Sequence, residues 1–277
     1  MMKIIEYMLE EDEGFGDITS NILINDEKEV IATIKSKDQG IFAGSKIIQE
    51  IFNENNIEIL ELKKDSTKIN KGDLLFKIKG NALKILLLER TVLNIAMRMS
   101  GVATYTNNVV NKVKKINPKC TVAGTRKTSP AIAKFDKMAI SIGGADPHRF
   151  ALDDMVLIKD NHIAIVGNPL KALKIAKSKI SFSKKIEIEV ETLNDAIECV
   201  QNGADIVMLD NMSPTEIKEV LNELSKLNIR DKILIEVSGG INNENIEDYA
   251  LLDVDIISLG ALTHSSGSLN FSLNIEV

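Results

Sequence analysis

The residues best suited to chemistry fall in five short clusters, each closing an apolar, β-branched run. Cys120 to Ala123 leads into Gly124-Thr125-Arg126-Lys127-Thr128, and Met155 to Ile158 into Lys159-Asp160-Asn161-His162. Ile206 to Leu209 ends in Asp210-Asn211, Ile233 to Val237 in Ser238-Gly239-Gly240, and Ile256 to Leu259 in Gly260-Ala261. One polar strand end is ordinary solvation; five in succession point to a shared site. Arg126, Lys127 and Lys159, with His148-Arg149 after the turn-forming Gly143–Pro147 run, suit a ligand carrying several negative charges. The glycine pairs let backbone N–H groups approach a phosphate, or else make tight connections between elements. No nucleophile with a neighbouring base stands out, so electrostatic stabilisation is favoured over covalent catalysis.

Ile186 to Glu191 alternates strictly as Ile-Glu-Ile-Glu-Val-Glu. On an exposed edge this is a solvated face. In a closed sheet whose outer face packs on helices, Glu187, Glu189 and Glu191 all project inward, where they need cations or a bound magnesium to meet them.

The elements that must carry these clusters alternate between strand and helix from about residue 118 onward. Helical patterns at Pro214–Leu227 and Asn243–Leu252 separate the last three strand-like runs, which recur about every 25 residues. Such repeats predict a parallel sheet, and the absence of a reversal favours a barrel with its working groups at the C-terminal strand ends. The first third reads as mixed α and β, with a short helix at Ile4–Glu11, strands at Val30–Lys35 and Leu74–Ile78, and a helix at Ser45–Phe52. Asp17 or Thr19 is a candidate cap for the segment after the Gly14–Gly16 turn. A longer helix starts at Asn81 and runs through Arg98. Leu83, Leu86, Leu87, Leu93 and Met97 form its predicted apolar stripe, with Arg90 on the same stripe, either snorkelling or meeting an anionic partner.

With 277 residues, 44% of them hydrophobic, the chain can bury a large core. Its net charge of −6 gives no general basic surface for nucleic acid. Two cysteines, Cys120 and Cys199, make no disulfide framework or zinc motif and fit a reducing, cytoplasmic setting as inert packing residues. His264 reads as a hydrogen-bonded structural residue. The acidic start is no signal peptide, and the longest uncharged stretch, Ile256–Asn274, is too interrupted for a bilayer span.

Taken in order, the clusters resemble the quinolinate phosphoribosyltransferase family. The resemblance rests on Glu11-Asp12, Gly16-Asp17-Ile18-Thr19-Ser20, Glu89–Asn94, Ser100-Gly101-Val102-Ala103-Thr104, Thr125–Thr128, His148-Arg149, Leu157–His162, Met208–Met212, Ser238–Asn242 and Gly260–His264. It implies an N-terminal α/β sandwich over residues 1–107, rejoined by a C-terminal tail at 266–277. An incomplete, seven-stranded type of α/β barrel then covers 108–265. It implies decarboxylating transfer of phosphoribose from phosphoribosyl pyrophosphate to quinolinate, in NAD biosynthesis, within a homodimer. Arg126, His148, Arg149 and Lys159 would then hold the pyridine dicarboxylate, with Arg90 lent by the neighbouring subunit. Lys127, Glu189 and Asp210 would surround the phosphoribosyl group, the two acids holding Mg2+ directly or through water. Ser238, Gly239, Gly240, Gly260 and Ala261 would take the 5-phosphate. Two departures from the family pattern, Gly124 for an aspartate and Ala145-Asp146-Pro147 before His148, raise alternatives: a related enzyme for another heteroaromatic acid, or a non-catalytic phosphometabolite sensor.

Overall fold

The computed structural model describes residues 2–276. In chain order the elements are α1 (Met2–Glu13), α2 (Ile18–Leu23), β1 (Glu29–Ser36), β2 (Gly40–Ile41), α3 (Ser45–Glu54), β3 (Glu58–Leu62), β4 (Lys68–Ile69), β5 (Leu74–Asn81) and α4 (Ala82–Ile116). Then come β6 (Thr121–Gly124), α5 (Ala133–Ile142), β7 (Val156–Ile158), α6 (Asp160–Val166), α7 (Pro169–Lys179), β8 (Ile186–Val190), α8 (Leu193–Gln201), β9 (Ile206–Asp210) and α9 (Pro214–Lys226). The chain closes with β10 (Leu234–Ser238), α10 (Ile246–Ala250), β11 (Ile256–Leu259), α11 (Ala261–His264) and β12 (Phe271–Glu276). Among the described residues no helix is long and apolar enough to cross a membrane.

The chain divides into two compact units, one of residues 1–107, 128–144 and 262–277, the other of 108–127 and 145–261. This departs from the predicted division in two places: residues 128–144 and 262–265 group with the first unit rather than with the barrel. The reason is visible at Asp136 on α5. This fully buried carboxylate accepts both arms of the Arg98 guanidinium, each at 2.9 Å, and the Thr128 hydroxyl at 2.5 Å, while Arg98 also donates to the Thr263 carbonyl at 2.8 Å. A charge taken out of water must be fully met, and all of its partners lie in segments of the first unit.

The first unit is built on an antiparallel sheet in the order β12-β1-β5-β3. β12 returns from the chain's end to pair with β1, Ala32 opposite Ile275. α3 lays Ile47, Ile48, Ile51 and Phe52 on one face, the 3–4 spacing of an amphipathic helix, and Phe52 stacks edge-on against Phe76 of β5 at 5.7 Å. α2 is capped by Asp17, whose Oδ1 accepts the Ser20 N–H at 3.0 Å. Asn81 likewise caps α4, accepting the Lys84 N–H at 3.1 Å.

α4 corrects a prediction. Its buried line is Ile85, Leu88, Val92, Ile95, Ala96, Met99, Val102 and Ala103, and of the predicted stripe only Leu93 is buried with it. Leu83, Leu86, Leu87 and Met97 are only half-buried, and Arg90 has 58% of its side chain exposed, with Glu89 as ion partner at 3.9 Å. The segment 82–93 is so rich in leucine and isoleucine that two faces fit the helical period equally well. The Ser100–Thr104 motif is structural in this unit. Ser100 Oγ accepts the Ala43 N–H at 3.0 Å and Thr104 Oγ1 the Ile41 N–H at 2.8 Å. A Cβ at Gly101 would collide with the Gly267 carbonyl oxygen, so only glycine fits.

The second unit is a parallel sheet in the order β6-β11-β10-β9-β8-β7, with helices between the strands. All five residues of β8 are buried, so its glutamates do not form an exposed edge. Six strands form this sheet, and beside β6 Asp146 adds a single parallel bridge to Ala123.

Candidate active site

Parallel registers bring the C-terminal strand ends level. Asp210 lies opposite Ser238, and Leu259 opposite Gly124. Because strand side chains alternate between faces, one parity of each strand points to a common interior. Gly124, Leu157, Glu189, Met208, Asp210, Glu236, Ser238 and Ser258 line a cavity of about 360 Å³ together with Arg126, Lys127, His148, Arg149, Lys159 and Asp160. A neighbouring cavity of about 570 Å³ shares the walls Arg126, Arg149, Leu157 and Lys159.

The cations form the distinctive part. Arg149 is only 7% exposed, and its basicity falls below the usual arginine range because burial disfavours its charge and the Arg126 guanidinium adds repulsion. Glu187, Glu189 and Asp154 oppose that trend from a distance. Two guanidiniums held together in a partly dry wall form a receptor for a dianion. The Lys159 ammonium is ion-paired with Glu189. Its backbone N–H donates to His162 Nδ1 at 2.9 Å, which anchors the strand-to-helix turn that presents it.

The predicted acids separate by depth. Glu189, 8% exposed, meets Lys159, and Asp210 sits at the strand end accepting from Asn211 Nδ2 at 2.6 Å. Glu191 was predicted to point inward with them; it lies past the end of β8 and is exposed. Glu187 and Glu236 are both fully buried, Glu236 in the cavity wall, and nothing in the sequence pattern had marked Glu236 for a role. His148, in a left-handed backbone conformation (φ 55°), places Nε2 3.1 Å from Glu187 and 3.3 Å from Glu236. Burial works against its charge, but the two carboxylates outweigh it and push the imidazole up to about 10. The clue available in sequence was parity: Glu236 and Ser238 of β10 share the interior face.

The glycine turn after β10 is conformationally specific. Gly239 (φ 93°) and Gly240 (φ 63°) are left-handed, and a Cβ at Gly239 would collide with Asn211 Oδ1. The helices that the two glycine turns were predicted to open toward contribute little. α10 begins only at Ile246, and α11, starting directly at Ala261, has four residues. Any phosphate there would therefore be held by turn amides and Ser238. Asp146 accepts the His148 backbone N–H at 2.6 Å and lines a different cavity, at the opposite end of the strands. Cys120 and Cys199 are buried, each thiol pushed up to about 12 by burial, and are unreactive. His264 is exposed, with Nδ1 2.8 Å from Ser265 Oγ.

Residues 17–100 match the N-terminal domain of quinolinate phosphoribosyl transferase and residues 102–274 its C-terminal domain. The chain belongs to the quinolinate phosphoribosyl transferase family. Within that family it is 47% identical, over 99% of its length and 96% of the relative's, to a protein of Methanocaldococcus jannaschii named probable nicotinate-nucleotide pyrophosphorylase (carboxylating). It is 32% identical to the human nicotinate-nucleotide pyrophosphorylase (carboxylating), over 88% and 82% of the two chains. The crystal structure of NadC from Streptococcus pyogenes superimposes with a TM-score of 0.91 at 33% identity, over 99% and 96% of the chains. This family member thus shares the family's mixed α/β architecture throughout.

Proposed function

We propose that this chain transfers phosphoribose from phosphoribosyl pyrophosphate to the ring nitrogen of quinolinate, releasing pyrophosphate and carbon dioxide and leaving nicotinate mononucleotide for NAD synthesis. The observation that carries the reading is the buried Arg149 crowded by Arg126, a pair that invites a dianionic acceptor. Arg126, His148, Arg149 and Lys159 grip the two carboxylates. Lys127, Glu189 and Asp210 surround the sugar. Ser238, Gly239, Gly240, Gly260 and Ala261 receive the 5-phosphate.

The ring nitrogen's lone pair forms the bond to C1 as the C1–oxygen bond breaks and its electrons leave with pyrophosphate. Positive charge that builds on C1 is stabilised by Glu189 and Asp210, and the departing anion by Lys127. The pyridinium then accepts the electron pair left when the 2-carboxylate departs as CO2, and a proton from solvent fills C2. Fixing the ring through paired arginine contacts sets the line of attack. The hard oxygen donors Glu189 and Asp210 fit Mg2+; when bound, that ion supplies charge neutralisation to the leaving pyrophosphate. Arg90, exposed on α4, is read as the arginine that a homodimer lends to the neighbouring site. The setting is cytoplasmic, without nucleic acid or membrane partners.

Of the two departures from the family pattern, Asp146 lines another cavity, which leaves Gly124 as the one facing the cations. Purified protein with Mg2+, phosphoribosyl pyrophosphate and quinolinate is expected to form nicotinate mononucleotide, CO2 and pyrophosphate in equal amounts. Tighter use of a different heteroaromatic acid would assign another acceptor. Absence of pyrophosphate release from folded protein, beside an active family enzyme, would leave the sensor.

A further inference from the structure

We propose that His148, Glu187 and Glu236 form a divalent-metal site inside the parallel sheet, separate from any cation that travels with substrate at Glu189 and Asp210. The ion would be of the borderline class that accepts one imidazole and two carboxylates, with Zn(II), Co(II) and Mn(II) as representatives.

Charge is the first argument. Glu187 and Glu236 are fully buried, and all four of their carboxylate oxygens lack a directed hydrogen bond. The His148 Nε2–H, although near both, is aligned on neither. With both carboxylates ionised the trio carries net negative charge, and burial already pushes the Glu187 carboxyl up toward its neutral form. A divalent ion on neutral imidazole and two carboxylates brings that net charge to zero, which is what burial demands.

Geometry is the second. Two ligand atoms at the usual ~2.0–2.1 Å from zinc, in a tetrahedral arrangement, are about 3.3–3.4 Å apart. His148 Nε2 lies 3.1 and 3.3 Å from the two glutamate oxygens, and all three ligand atoms lie within 4.8 Å of one another. The strained left-handed backbone at His148 is what turns the ring inward.

Access is the third. His148 lines the catalytic cavity and also one of about 410 Å³ formed by Thr121, Asp146, Ile206, Asp255 and Ile256 at the strand starts. An ion can therefore reach the trio from the end remote from substrate.

The test is titration of the EDTA-treated full-length protein with Co(II), read by its visible absorption and by metal analysis after dialysis. The expectation is one tightly held equivalent per chain. Glu187→Gln and Glu236→Gln should each weaken it at least tenfold, while Asp210→Asn leaves it unchanged. Binding that survives both glutamine variants, or is lost in Asp210→Asn, overturns the proposal, as does no binding at all. Should the glutamine variants fail to fold, anomalous scattering from Zn(II)-soaked wild-type crystals decides. A peak bonded to His148 Nε2 supports the site, and density confined to Asp210 rejects it. None of these readouts depends on phosphoribosyl transfer.

Discussion

The two ends of the parallel sheet carry similar residues to opposite purposes. At the strand starts, Asp205, Asp255 and Arg230 are spent on the fold. Asp205 accepts the Ile186 N–H at 2.7 Å, and Asp255 the Ile235 N–H at 2.7 Å. Arg230 is 9% exposed and donates to the Ile233 and Asp253 carbonyls at 3.2 and 2.5 Å, with Asp255 3.0 Å away. At the strand ends, Arg149 is buried to a similar depth but has a like charge, Arg126, for a neighbour. A buried arginine that donates to carbonyls and lies against a carboxylate holds loops together. A buried arginine held against another stores unfavourable energy that an anion releases. Burial alone does not separate structural from functional charge; the groups that each charge lies against do.

The contrast breaks most visibly at Arg149. Arg149→Met should lower kcat/KM for quinolinate by about 10²–10³-fold, the range for removing one partner of a desolvated charge pair. Its melting temperature should stay level or rise, since an uncompensated charge is removed. A variant that unfolds while retaining activity would reverse the assignment.

At the other end, Asp255→Ala removes the carboxylate paired with Arg230 and leaves the Ile235 N–H without its acceptor. A loss of about 2–3 kcal/mol in urea unfolding is expected, with kcat/KM within twofold of wild type. Loss of turnover at unchanged stability would show that the strand starts also serve catalysis.

The smallest effect concerns His148, between the two ends. Its folded pKa, raised from 6.5 to about 10, contributes stability that is complete below pH 6.5 and is lost as pH rises toward 10. The urea midpoint of metal-free wild type should therefore fall across that window more steeply than that of His148→Gln. Parallel profiles would show that the imidazole carries no linked proton.

Much of the second unit was legible from spacing. Each predicted strand lies within a residue or two of its observed place, because Ile/Val runs buried on both faces are bounded by polar turns. The same reasoning failed on α4, where apolar residues surround the segment 82–93 and periodicity has two answers. It also carried Glu191 inward by continuing an alternation past the point where β8 stops.

From the order of residue types alone came the repeating strand–helix units, the family motifs, and the fact that cations, acids and glycines gather where strands end. Spacing along one chain conveys these because strand and helix periods are local properties. Which charges meet was decided by tertiary structure: Lys159 on Glu189, Asp136 drawing 128–144 into the first unit, and His148 turned toward Glu187 and Glu236. Those pairings join residues far apart in the chain, and the cost of a buried charge depends on what stands a few ångströms away, which no local pattern records.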